Sequence, residues 1–259
     1  MAGSIDGDQE EPLVSVIMPV YNAAATISHA VESVRRQGFT QWELIIVDDG
    51  STDDTALLCQ SFAAADERIR FVTLETNTGS PARPRNVGLD QVRGEWCAFL
   101  DADDTWRPEK LGHQLRFMQE QGLDLCGTSV SLMNAKGAET GRRLFPGSLS
   151  YSSLLRHNTL VCSTVLCRST HLADRRFPEI GHEDYALWLD LARSGGKLGV
   201  LPEVLASYRK HQGSVSANKR KVVGYFWNIY HHYLGYSVLV SAFFTCRYLF
   251  LAAMRATRE

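Results

Sequence analysis

Trp96-Cys97-Ala98-Phe99-Leu100-Asp101-Ala102-Asp103-Asp104 sets an apolar run directly against a cluster of three carboxylates. Bounded by Gly94 and Pro108, the apolar run predicts a buried strand, so the carboxylates emerge together at its C-terminal end. That end is where open α/β sheets bind ligands. Carboxylates crowded there repel one another unless a cation sits among them, and hard oxygen donors suit Mg2+ or Mn2+. The same residues also read as an acidic turn in which Asp104 caps a helix over residues 108–118.

Working outward, the first ~110 residues alternate between strand and helix patterns. Residues 13–18 predict a short apolar strand ending at Pro19, and residues 24–37 carry Ile27, Ala30, Val31 and Val34 at helical spacing. A second strand over 42–47 runs into Asp48-Asp49-Gly50-Ser51, followed by a helix over 53–64 whose Thr/Asp-rich start suits capping. A strand over 70–74, a helix over 84–92 and the strand over 95–100 complete the pattern. Such alternation implies right-handed crossovers and a mostly parallel sheet flanked by helices, with the polar loops on one face.

Composition narrows the possibilities. A chain of 259 residues with 44% hydrophobic residues can bury one substantial α/β core with appended elements. A net charge of −2 gives no general positive field to steer nucleic acid, so no nucleic-acid partner is expected. Cys59, Cys97, Cys126, Cys162, Cys167 and Cys246 lack CxxC spacing and read as small buried hydrophobes in a reducing cytoplasm. Residues 1–12 have no basic start and no apolar stretch, so the expectation is a short disordered lead rather than a secretory signal.

Three further loops carry chemistry. Pro19-Val20-Tyr21-Asn22 offers an aromatic face for a base, or is an ordinary strand exit. Asp48 and Asp49 could accept from a base N–H or a ribose hydroxyl, or simply belong to a Gly turn before a capped helix. Gly79-Ser80-Pro81-Ala82-Arg83-Pro84-Arg85-Asn86-Val87-Gly88 puts two arginines near a helix start, as phosphate binding requires, unless they line a solvated face.

The order and spacing of all four loops, over residues 13–217, resemble the family-two glycosyltransferases of the GT-A fold. The matching segments are Pro19 to Asn22, Val47 to Thr55, the variant Ala82 to Gly88, and Gly94 to Leu111. The resemblance implies an α/β fold with a nucleotide-sugar half over 13–111 and an acceptor half over 112–217. It also implies that Pro19, Val20, Tyr21 and Asp49 hold the uracil of a UDP-sugar, with Asp48 mainly structural. Arg85 matches the family's arginine, while Arg83 comes with an Arg-Pro insertion, leaving open which of the two meets the nucleotide. Asp101 would lie near ribose or donor sugar, Asp103 on a Mn2+ or Mg2+ that bridges the diphosphate, and Asp104 behind them.

The acidic pair Glu183-Asp184 opens a helix whose apolar face comprises Tyr185, Leu187, Trp188, Leu191 and Ala192. It could merely favour the helix dipole, worth about 0.3–1 kcal/mol. It also resembles the family's acidic motif, which implies Asp184 as the general base with Glu183 able to share that role. Asp190 lies nearly two turns further on and is the least suited. His211, in Tyr208-Arg209-Lys210-His211, is expected by resemblance to complete metal coordination or meet the diphosphate, and Arg209 could do the same by charge.

By resemblance, then, an inverting transfer of galactose or glucose from a UDP-sugar gives a β-linked product. The acceptor is expected to be a polyprenyl-diphosphate-linked or other saccharide in O-antigen or capsule assembly. A glycosidase would also use two carboxylates, but the uridine-type loops have no purpose there. A non-catalytic nucleotide-sugar binder of the same fold remains the alternative.

From residue 218 the composition turns basic and aromatic, with Lys219, Arg220, Lys221, Phe226, Trp227, Tyr230, Tyr233 and Tyr236 ahead of a largely apolar stretch interrupted by Arg247. Either side of Arg247 is shorter than the ~20 residues of a spanning helix. The tail over 218–259 reads as a helix lying on the inner face of an anionic cytoplasmic membrane, or as one buried against the domain or in a homodimer.

Overall fold

Val14–Val20 (β1) and Trp42–Asp48 (β2) are buried at every position, as strands covered on both faces must be. In the computed structural model, which describes residues 14–145, 147–156, 158–210 and 219–256, with backbone alone at 219–221 and 252–256, they pair in parallel. Ile69–Thr73 (β3) joins β2 and Trp96–Phe99 (β4) joins β1, both in parallel. The order is therefore β3-β2-β1-β4, and the chain reverses its direction of growth between β1 and β4. Their pairing ends at Ile17 opposite Phe99, just before Pro19, which has no N–H to continue it. The crevice beyond is the place where a doubly wound sheet receives a ligand.

The sheet continues without a break into the second half as a mixed array. Leu166–Arg168 (β8) pairs antiparallel with β4 and with Leu125–Met133 (β6). Beside β6 lies the parallel Leu198–Arg209 (β9), edged by the antiparallel Thr105–Trp106 (β5), while Glu139–Arg143 (β7) pairs β6. The expected parallel sheet is thus β3-β2-β1-β4, and the strands beyond it add antiparallel pairs beside the parallel β6–β9 pair.

Helices cover both faces. Ile27–Arg35 (α1) buries Ile27, Ala30, Val31 and Val34, the residues whose spacing predicted it. Thr55–Ala65 (α2) and Lys110–Gln121 (α4) follow the acidic loops. Ala82–Leu89 (α3) lies tight on β1, because a Cβ on Gly88 would stand 2.5 Å from Ile17 Cγ2. Only glycine lets that helix, and Arg85 on it, approach the sheet so closely. Tyr151–Leu154 (α5) is a single turn, and Glu183–Arg193 (α6) buries Tyr185, Ala186, Leu187, Trp188, Leu189 and Leu191.

Two helices close the chain, Lys219–Trp227 (α7) and Val238–Ala256 (α8), joined through a π-helical turn at Asn228–Tyr233. Tyr248 of α8 stacks on the buried Phe226 at 3.6 Å between ring centroids, and Phe244 meets Tyr230 at 5.4 Å. On the opposite side of α8, Leu239, Phe243 and Phe250 are exposed. Packing on the domain and an exposed apolar face are therefore both true, of different faces of one helix. Among the described residues no helix is long and apolar enough to cross a membrane. Of the six cysteines five are buried and Cys246 is exposed.

Candidate active site

The loop after β1 and the loop after β2 form one unit. Asn22, at φ 46°, accepts the N–H of Thr52 at 2.8 Å, while its own N–H donates to the Ser51 hydroxyl at 2.9 Å. Asp48 accepts the Ser51 hydroxyl at 2.5 Å. Pro19 and Val20 are buried, while Tyr21, 48% exposed, and Asn22 are presented at the surface. Asp49 is buried and accepts from the Thr78 hydroxyl at 2.9 Å, the Thr78 N–H at 3.1 Å and Asn77 Nδ2 at 3.1 Å. The loop after β3 is thereby fastened beside Tyr21's loop, through Asn77 and Thr78, which carried no signal in the sequence.

Arg85 and Arg83, equivalent on paper, differ completely in space. Arg83 is exposed, whereas Arg85 is buried and its Nη2 donates to Asp101 Oδ1 at 2.6 Å. Its Nη1 donates to Glu183 Oε1, joining the carboxylate loop after β4 to the first turn of α6. The neighbouring Asn86 exchanges two bonds with the backbone of Phe177, 2.9 and 2.8 Å, which holds the segment leading into α6 against α3. The guanidinium thus bridges two carboxylates with one charge-assisted hydrogen bond to each, stronger than bonds between neutral groups.

Glu183 and Asp184 occupy the N-terminal turn of α6, Glu183 buried and Asp184 half-buried. Burial raises the Glu183 carboxyl above its ordinary value, with Arg85 opposing and Asp184 adding to it. Burial likewise raises Asp184 against the pull of Arg85. A carboxylate raised in this way and, like Asp184, without an ion-pair partner among the described residues is suited to take a proton. Asp190 does not belong here, since it pairs with Arg175 at 3.1 Å and Arg193 at 3.0 Å.

The carboxylate cluster of Asp101, Asp103 and Asp104 divides by partner. Asp104 is not a helix cap: α4 begins only at Lys110, with Glu109 in the capping position and no side-chain cap bond. The Asp104 carboxylate instead accepts the Ser163 hydroxyl at 2.6 Å and the Arg209 N–H at 2.8 Å, drawn inward by those donors. Burial, reinforced by Asp103 and Asp101, pushes its carboxyl well above the usual range. Ser163, whose oxygen also accepts the Asp101 N–H at 3.1 Å, therefore fixes the loop from beneath. No pattern in the sequence marked it.

Arg209 also departs from expectation. Its Nε donates to the Asp103 carbonyl at 2.9 Å and its Nη1 to the carbonyls of Asn134 and Ala135 at 3.2 and 3.0 Å. Those carbonyls hold the guanidinium within the fold, where it braces the loop rather than reaching toward a diphosphate. His211 lies outside the described residues. Among the described residues no three Asp, Glu, His or Cys side chains converge on a metal position. Asp101 and Asp103 are both only partly buried at the strand end, and Mg2+-type ions bind through one or two carboxylates plus substrate phosphates. The donor set fits such an ion.

A parallel β3-β2-β1-β4 half, an antiparallel extension and a carboxylate-arginine cluster over the β1/β4 crevice define an α/β protein of GT-A type. The chain belongs to the family-two glycosyltransferases: the family model "Glycosyl transferase family 2" matches residues 15–177. It is 40% identical over 222 residues to the "Putative teichuronic acid biosynthesis glycosyltransferase TuaG" of Bacillus subtilis (strain 168), covering 85% of this chain and 88% of that one. It is 34% identical over 221 residues to the Escherichia coli UDP-Glc:alpha-D-GlcNAc-diphosphoundecaprenol beta-1,3-glucosyltransferase WfgD, covering 85% and 86%. The crystal structure of Staphylococcus aureus TarS 1–349 in complex with UDP-GlcNAc shares the fold, at TM-score 0.72 and 23% identity, over 91% of this chain and 71% of that one.

Proposed function

We propose that this protein is an inverting glycosyltransferase that moves a hexose from a UDP-sugar to a hydroxyl of a polyprenyl-diphosphate-linked sugar, in bacterial surface polysaccharide assembly, giving a β-linkage. The observation that carries this is Arg85, which joins Asp101 of the donor loop to Glu183 beside Asp184. Galactose and glucose are the candidate hexoses, and the name of WfgD favours glucose and a lipid-diphosphate acceptor.

In this proposal Pro19, Val20, Tyr21 and Asp49 receive the uracil, and Asp101 with Arg85 borders ribose and donor sugar. Arg83, exposed on α3, is left to the rim. Asp103, with His211, would hold Mn2+ or Mg2+. The ion, when bound, supplies charge to offset that growing on the leaving UDP. Asp184 accepts the proton of the acceptor hydroxyl as its oxygen attacks the anomeric carbon, and the bond to UDP breaks on the opposite face. Glu183 is held by Arg85 and so leaves the proton to Asp184. The outer face of α8, with its flanking basic residues, would rest on the inner surface of the cytoplasmic membrane, where a lipid-linked acceptor resides.

The deciding experiment supplies UDP-glucose or UDP-galactose with Mn2+, with and without a GlcNAc-diphosphate-lipid acceptor, and measures UDP release and product. Acceptor-dependent release with an anomerically inverted product is expected. Donor binding without turnover across donors and acceptors would favour a non-catalytic binder instead.

A further inference from the structure

The start of α6 is held in an unusual way. His182, immediately before Glu183, has φ 59°, a left-handed conformation that a non-glycine residue keeps only where its surroundings impose it. No side chain caps the helix at that point. What surrounds it instead comes from α7. The His182 ring lies 5.2 Å from the ring of Phe226 and 5.9 Å, edge to face, from that of Tyr225. At Gly181 a Cβ would stand 2.3 Å from the Tyr225 ring, so the ring lies directly on the backbone there. Phe226, fully buried, is backed by Tyr185 of α6 at 5.8 Å and by Tyr248 of α8 at 3.6 Å. The buried Nε2 of His182 has no hydrogen-bond partner among the described residues, so packing rather than polar contact holds the ring.

We propose that Tyr225 and Phe226 are positioning residues for the transfer reaction: by clamping Gly181 and His182 they fix the backbone turn that aims Asp184 at the acceptor. The inference rests on the proposal that Asp184 is the base. It makes α7 and α8 part of the catalytic apparatus, because the stack runs from α8 through Tyr248 and Phe226 to His182. A misplacement of a reacting group by about 1 Å costs on the order of 100-fold in rate, so a loosened clamp is expected to act on turnover. The loops after β1 and β2 are held by their own hydrogen bonds, and among the described residues the loop after β4 meets the start of α6 only through Arg85.

The test compares Tyr225→Ala, Tyr225→Phe, Gly181→Ala and the Gly181→Ala/Tyr225→Ala pair in the full chain, with Asp184→Asn as the control. Tyr225→Ala and Gly181→Ala should each lower kcat by on the order of 10- to 100-fold, with UDP affinity and donor KM changed less than about twofold. Tyr225→Phe keeps the ring and should retain wild-type kcat. The pair should be no slower than its slower member, since Gly181→Ala acts by displacing the same ring that Tyr225→Ala removes. Wild-type kcat in Tyr225→Ala, or a parallel loss of UDP affinity in both single variants, would overturn the proposal. Full turnover by Asp184→Asn would instead remove the base assignment, which separates the two failures.

Discussion

Arg85 holds Glu183 across 98 positions of sequence, in a buried ion pair that also recruits Asp101. The pairing gives two adjacent carboxylates different duties. Glu183 anchors the start of α6 to α3, and in the proposed reaction Asp184, one residue on, keeps its carboxylate for the acceptor.

Arg85→Ala should destabilise the fold by about 3 kcal/mol, because it leaves Glu183 buried without its counter-charge. Adding Glu183→Gln should recover part of that loss. Urea midpoints of the two variants check this, and equal midpoints for wild type and Arg85→Ala would mean that the pair contributes nothing.

Removal of the proposed base gives a different signature. Asp184→Asn should lower kcat by about 10²–10⁴-fold, the usual contribution of a general base, with UDP affinity by calorimetry within about twofold of wild type. Glu183→Gln should retain more turnover than Asp184→Asn and lose more stability.

Asp103 and Asp104 should separate by assay. Asp103→Ala should weaken Mn2+-dependent UDP binding by about 10-fold or more while leaving the melting temperature near wild type. Asp104→Ala should lower the melting temperature, because it orphans the Arg209 N–H and the Ser163 hydroxyl, at about 1–3 kcal/mol for each buried group.

Lys110 makes stability depend on pH. Its ammonium is fully buried, donating to Gln114 Oε1 at 2.8 Å and lying 4.1 Å from the Trp106 ring centroid, and burial pulls its pKa down to about 7. The unfolded chain keeps that proton up to the ordinary lysine pKa of about 10.4. Between the two values the unfolded state binds more protons, so this group adds stability as pH rises, and below the folded value its penalty is fully present. Unfolding free energies of wild type and Lys110→Met, compared at pH 7 and pH 9, should show the wild type gaining on the variant. A constant difference would contradict the assignment.

The outer face of α8 should bind anionic vesicles. Phe243→Glu combined with Phe250→Glu should abolish co-flotation with them and leave UDP affinity intact. A dimer that forms without vesicles and is lost in this variant would identify a second copy as the occupant instead.

Much of this was legible because the parallel half writes itself locally. Buried strands such as Val14–Val20 and Trp42–Asp48 read as largely apolar runs, interrupted only by Ser15 and Glu43, which bond each other, α1 shows its buried face every third or fourth residue, and the polar loops stand where those runs stop. The half of the chain after α4 was less legible. Its strands pair antiparallel and out of chain order, and Ser163, Asn77 and Thr78 matter only through partners far along the chain.

The sequence by itself determined the strand-helix order, the family, and which loops carry carboxylates and arginines, since each is a matter of spacing along the chain. The tertiary structure alone decided between chemically equivalent neighbours. Arg85 rather than Arg83 meets the carboxylates, Glu183 rather than Asp184 is tied by an arginine, and Asp104 is drawn to Ser163 and Arg209 rather than to a helix end. Burial and pairing with distant residues assign those roles, and neither is a property of a residue's place in the chain.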